Sequence, residues 1–275
     1  MRGWRGAAAL PAGAAAVLAL AVAAALAQGG GEAPAAEPVR AIPDPQSGLE
    51  FTTPETRAIQ EDDFQNPAFL WVEEGEQAWN HPEGAAGKSC ASCHGNAAES
   101  MRGVRARYPA YDAKKGRVVT LEQRVNICRE EHMGAPPLRI DSRPLNAMTA
   151  FIGLQSRGMP VQVDISGPAR PFFDAGERFY NTRRGQLDMR CGSCHEDNYG
   201  RYLRADLLSQ GMSNGFPTYR LKEQRVISLQ FRLQGCVNDV RGEAPPMGGE
   251  EFTNLEFYLA WRAQGLPVET PSVRR

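Results

Sequence analysis

The chain has 275 residues, enough for one or two globular domains. Its 31 basic and 32 acidic side chains nearly cancel, which leaves no basic excess for nucleic acid and no acidic block of the kind found in disordered tails. The 28 Gly and 20 Pro predict short helices joined by much loop, and argue against a long coiled coil or a sheet of long regular strands.

Residues 1–27 read as a secretory signal peptide. Arg2 and Arg5 supply its positive start, Ala14 to Leu26 its uncharged apolar run, and Ala25-Leu26-Ala27 a small-x-small cleavage pattern. The apolar run is short and mostly Ala, below the ~20 residues of a membrane span. No later stretch is long and apolar enough to span, so no membrane attachment is expected after cleavage. Residues 28–48 are rich in Gly, Pro and Ala with few bulky apolar side chains, and predict a flexible leader. Folded structure is expected from Leu49 onward.

The remainder repeats itself. Residues 75–94, GEQAWNHPEGAAGKSCASCH, lie over residues 176–195, GERFYNTRRGQLDMRCGSCH, at a constant offset of 101. Gly75/Gly176, Glu76/Glu177, Asn80/Asn181 and Gly84/Gly185 are identical, and Trp79 meets Tyr180. The same offset places Glu122-Gln123-Arg124-Val125 over Glu223-Gln224-Arg225-Val226, after which the second copy carries a few extra residues. The copies rejoin at Pro136-Pro137 with Pro245-Pro246, and at Gly158-Met159-Pro160-Val161 with Gly265-Leu266-Pro267-Val268. Two domains follow, 49–167 and 168–275. Within each copy, amphipathic runs such as Phe172 to Tyr180, Leu145 to Leu154 and Phe252 to Trp261 predict helices with one buried face. β-branched clusters such as Val118-Val119-Thr120 read as too short to build a sheet, so the expected class is mainly α.

C-x-x-C-H occurs in both copies, as Cys90-Ala91-Ser92-Cys93-His94 and Cys191-Gly192-Ser193-Cys194-His195. In an exported chain this spacing attaches a c-type haem. Two thiols three positions apart on a short helix reach both vinyl groups of one porphyrin, and the next imidazole is held under the iron. A redox dithiol does not need the following His, and a zinc site would need further ligands nearby. Two covalent haems are therefore expected, on Cys90/Cys93 and Cys191/Cys194, with His94 and His195 as proximal ligands.

Each iron needs a sixth ligand or an open position. His81, His132, Met133, Met159 and Met247 each lack a like counterpart in the other copy. One ligand type recurs: Cys128 lies 34 residues after His94, and Cys236 lies 41 after His195. Axial thiolate is the reading of both; a mutual disulfide or two buried free thiols are the alternatives. A thiolate stabilises ferric iron and lowers the haem potential, which suits chemistry beyond electron shuttling. Arg220, Lys222, Arg225, Arg232 and Arg241 crowd around Cys236, and Arg232 lies four residues upstream, on the same helical face.

Tandem C-x-x-C-H repeats with a later Cys in each resemble the SoxA family, especially around Cys236 (FRLQGCVNDVRGEAPP) and at residues 256–275 (EFYLAWRAQGLPVETPSVRR). The resemblance covers essentially all of residues 49–275. It implies a double cytochrome c-like fold related by internal duplication, with a SoxX-like cytochrome as partner subunit in the periplasm. The implied reaction is oxidative joining of thiosulfate to a cysteine of a SoxYZ-like carrier. By the same resemblance Cys236 is the catalytic sulfur, carried as a persulfide, and Arg232 and Arg262 bind substrate. A dihaem electron carrier without a substrate site and a tetrathionate-forming thiosulfate dehydrogenase are the competing readings.

Overall fold

The computed structural model describes Gly3 and residues 44–275. The expected signal peptide and most of the leader lie outside the described residues. The last leader residues that are described are anchored to the second repeat. Gln46 N donates to Gln210 Oε1 at 2.8 Å, and Ser47 Oγ bonds the Glu269 carboxylate.

After α1 (Pro54–Glu61), capped by the Thr53 hydroxyl, the first repeat is built on α2 (Phe69–Asn80). It continues with α3 (Cys90–His94), the single turn α4 (Ala97–Ser100), the hairpin β1 (Ala110–Asp112) and β2 (Arg117–Val119), α5 (Leu121–Cys128) and α6 (Arg143–Leu154). The second repeat runs α7 (Arg170–Asn181), α8 (Cys191–His195), β3 (Tyr202–Leu203), β4 (Asp206–Leu207), β5 (Thr218–Arg220), β6 (Arg225–Ile227), α9 (Leu229–Asp239), α10 (Glu250–Arg262) and β7 (Ser272–Arg274). The fold is mainly α, as expected. The Val118-Val119 cluster nevertheless forms a hairpin strand, and β6-β5-β7 make a small sheet in which β5 and β7 run parallel. Thr120 caps the helix that follows instead of extending the strand. Strands this short show no period-two pattern, which is why the sequence hides them.

The residues shared by the two copies have structural reasons. A Cβ on Gly75 would lie 2.2 Å from Ala147 O, and one on Gly176 would lie 2.1 Å from Asn254 O. Only glycine lets α2 cross α6, and α7 cross α10, this closely. Asn80 and Asn181 each donate to the carbonyl four residues earlier, Glu76 and Glu177, at 3.0 Å. Ser92 and Ser193 are capping-box residues: each hydroxyl accepts from the backbone N–H three residues upstream, at 3.0 and 3.3 Å.

The repeats meet about a local two-fold relation through equivalent residues. Gly158 N donates to Val268 O at 2.8 Å and Gly265 N to Val161 O at 2.9 Å. Val161 N and Val268 N donate to Leu266 O and Met159 O, both at 2.9 Å. One guanidinium serves both sides: buried Arg105 donates to Tyr108 O at 3.0 Å and to Phe216 O at 2.9 Å, and these carbonyls are themselves equivalent.

The structure corrects one alignment. Thr120 and Ser228 cap α5 and α9, and the hairpin registers Ala110↔Val119 and Thr218↔Ile227 correspond. Glu122-Gln123-Arg124-Val125 therefore belongs to a helix, whereas Glu223-Gln224-Arg225-Val226 belongs to a hairpin turn and strand. The four-residue identity is a coincidence. The extra residues of the second copy lie earlier, between α8 and β5, and form the β3–β4 hairpin. The true counterpart of Arg124 is Arg232, and that of Asp112 is Arg220.

At the repeat interface Glu256 is buried, and its Oε2 accepts from Gln230 Nε2 at 3.1 Å. Burial and the nearby Glu122 charge push its pKa up to about 8, against the pull of Arg105. A carboxyl raised in the folded state contributes stability that is present below its unfolded pKa and lost as pH rises through the folded one. Glu256→Gln should therefore leave Tm nearly unchanged at about pH 5 and raise it increasingly toward about pH 8. A thermal-melt series in which the gain is flat or shrinks with pH would refute this assignment.

Candidate haem and sulfur site

In the first repeat Ser89 and Ser92 close the N-terminus of α3, so Cys90, Cys93 and His94 start and end a single rigid turn. They line a cavity of about 730 Å³, with Cys128 at the end of α5 on its wall and Met101, Val104, Leu121, Val125, Met148 and Ile152 as apolar lining. That volume and lining suit a porphyrin-sized apolar group. His132 and Met133 also border the cavity. Burial, and next the neighbouring Cys128, push the Cys90 thiol up to about 11, which leaves little thiolate for free redox exchange.

The second repeat places its four donors together as well. The charge of Cys236 raises both the Cys191 and the Cys194 thiol after burial, and the His195 ring hydrogen-bonds Cys236. His195 Nδ1 lies 2.8 Å from Ser209 O, so Nδ1–H donates there and Nε2 is left for iron. A Cβ on Gly211, which has φ +72°, would come within 2.8 Å of the His195 ring. Gly211 thus lets the backbone press on the imidazole, a contact that no motif in the sequence announces. Orphaned buried donors also mark a missing polar partner: Tyr180 Oη, Arg184 Nη1 and Arg262 Nε have none, and all three residues bear on Cys191. The residues present therefore fit a haem in both repeats.

Cys236 differs electrostatically from Cys128. Burial raises both thiols. At Cys236 the charge of Arg232 and the adjacent His195 outweigh burial and bring the thiol below its ordinary value. At Cys128 the charge of Arg124 does not outweigh burial, to which Glu131 and Cys93 add. Arg124 is itself bound to the Asp112 carboxylate and to Tyr108 Oη at 3.2 Å. Arg232 sits over Cys236 with no such partner; the nearest carboxylate, Asp239, is 3.9 Å away. It lines a recess of about 180 Å³ with Arg220, Lys222, Glu223 and Asp239 among the walls.

Arg262 is placed elsewhere. Its side chain is 2% exposed, pairs with Glu196 at 2.6 Å, stacks on the Tyr180 ring and does not line the recess. Its charge is committed before any substrate arrives. Arg220 was already among the basic residues noted near Cys236, but the false register hid its correspondence to Asp112. Glu196, the partner of Arg262, was missed because it lies just past the C-x-x-C-H motif.

The SoxA/TsdA cytochrome c domain family matches residues 74–161 and 175–268. The L-cysteine S-thiosulfotransferase subunit SoxA of Pseudaminobacter salicylatoxidans is 48% identical over 230 residues, covering 83% of this chain and 80% of that protein. That of Rhodovulum sulfidophilum is 48% identical over 229 residues, with the same coverage. The crystal structure of SoxXA from P. pantotrophus superposes with a TM-score of 0.82 at 46% identity, covering 84% of this chain and 87% of that one. Twin cytochrome c units, donors at matched positions and similarity along most of the folded chain agree: the chain belongs to the SoxA family of L-cysteine S-thiosulfotransferase subunits.

Proposed function

We propose that the second repeat joins thiosulfate to a carrier cysteine, and that the first serves electron transfer. The observation that carries this reading is Arg232, a guanidinium without a close carboxylate, standing over Cys236. Cys90/Cys93 and Cys191/Cys194 would hold two covalent haems, with His94 and Cys128, and His195 and Cys236, as the residues that would ligate iron. When bound, these groups supply one-electron oxidation.

The chain's own residues do the rest. Arg232 holds the sulfonate end of the thiosulfate dianion through charge-assisted hydrogen bonds. Arg262, held by Glu196, fixes the buried side of the site and does not meet substrate. Cys236 presents a sulfur of lowered pKa to the sulfane sulfur. An S–S bond forms between them and two electrons leave, giving Cys-S-S-SO₃⁻ from thiolate and thiosulfate. The carrier thiolate then attacks the sulfane sulfur, takes the S-SO₃⁻ unit and releases Cys236. A persulfide on Cys236 would add one sulfur, about 32 Da, to the same scheme.

A SoxX-like cytochrome subunit receives the electrons and a SoxYZ-like protein is the carrier, with both steps in the periplasm after removal of the signal peptide. No described helix is long and apolar enough to cross a membrane. A pyridine-haemochrome assay on matured protein should give two haems per chain; a ratio of one would remove one repeat from the scheme. Turnover with thiosulfate and carrier, with and without the carrier cysteine, tests the reaction. Thiosulfate oxidation that ignores that cysteine would point to a tetrathionate-forming enzyme, and no oxidation at all to an electron carrier.

A further inference from the structure

The two repeats differ where their distal cysteines meet the hairpin. In the first repeat Arg124 is satisfied twice, by the Asp112 carboxylate at the end of β1 and by the Tyr108 hydroxyl. The corresponding positions of the second repeat hold Arg220, at the end of β5, and Phe216. The carboxylate has become a guanidinium and the phenol has lost its oxygen. Arg232, the counterpart of Arg124, has therefore lost both partners.

We infer that Arg220 is a second substrate-binding guanidinium, and that the exchange of Asp112 for Arg220 between the repeats confines thiosulfate chemistry to Cys236. Arg220 and Arg232 line one recess, and each has only a distant carboxylate, Glu223 at 3.8 Å and Asp239 at 3.9 Å. Two like charges facing one half-buried space repel each other until an anion enters. A divalent tetrahedral oxyanion with a sulfur tail meets that need, because two guanidinium forks bind several of its oxygens at once. Arg220 is held in place from behind, its Nε donating to Arg275 O at 2.8 Å. In the first repeat the Asp112–Arg124 ion pair fills the equivalent position, so the guanidinium that acts on Cys128 is already paired.

The inference rests on the reading of Cys236 and Arg232 given above, and the test separates the two. Arg220→Asp rebuilds the first repeat's ion pair in the second. It should raise KM for thiosulfate by roughly 100-fold or more, with Arg220→Ala nearer 10-fold and Arg220→Lys milder. Haem content and Tm should stay at wild-type values, which excludes a folding defect. Thiosulfate added to oxidised protein should perturb one low-spin EPR signal in wild type and not in Arg220→Asp. If Arg220→Asp keeps a wild-type KM and EPR response while Arg232→Ala and Cys236→Ala lose turnover, this inference fails alone. If all three variants are fully active, the reading of the site itself fails.

Discussion

Cys236→Ala should abolish thiosulfate-dependent turnover, while Cys128→Ala keeps a substantial fraction of it. Cys128 closes α5 and Cys236 lies in the last turn of α9, at equivalent places in their repeats, so the fold alone predicts no difference. The difference comes from the surrounding charges. Cys236 has its thiol lowered by Arg232 and His195, and that Arg232 lines a recess with Arg220 and Lys222. Cys128 faces a guanidinium already bound to Asp112 and Tyr108, and its thiol is raised. A thiosulfate dianion near Cys128 would have to compete with Asp112 for the Arg124 guanidinium. Steady-state assays of both variants with thiosulfate, carrier and an electron acceptor read the effect. Equal losses would mean that the repeats share the chemistry, and full activity in Cys236→Ala would leave an electron carrier.

Arg232→Ala is expected to lower kcat/KM for thiosulfate by about 10- to 1000-fold, the ~1.5–4 kcal/mol that accompanies loss of a charge-assisted contact to an anion. Arg232 also holds the Cys236 thiol down, so its removal should raise that thiol's pKa. A guanidinium that only balanced a haem carboxylate would instead shift the haem potential and spare turnover. Redox titration beside steady-state kinetics separates these outcomes.

Much of this site could be read from the sequence, because the chemistry of haem attachment fixes its own spacing. Cys90, Cys93 and His94, with their counterparts Cys191, Cys194 and His195, can reach one porphyrin only in that order. Cys128 and Cys236 stood out because the same residue type recurs at the same place in both copies. The glycines that matched across the repeats proved to be helix crossings, at Gly75 and Gly176, that no side chain could occupy. The parts that failed were local and weakly patterned. Three-residue strands carry no periodic signal, so the hairpins went unseen and a chance Glu-Gln-Arg-Val match set the wrong register. That register placed Arg220 opposite Val119 and concealed its relation to Asp112. Arg262 looked available because a lone arginine late in a helix gives no sign of a buried partner; Glu196, far away in sequence, takes its charge. Gly211 likewise acts through a distant contact, against His195.

The central claim is that the sulfur of Cys236 forms the bond to thiosulfate. The most direct measurement is peptide mass spectrometry of the oxidised protein after a single addition of sulfane-labelled thiosulfate, quenched before carrier is supplied. Labelled sulfur is expected on the peptide containing Cys236 and not on the peptide containing Cys128, and it should disappear when the carrier thiol is added. Label on Cys128, or carrier modified at the normal rate with no label ever reaching Cys236, would contradict it.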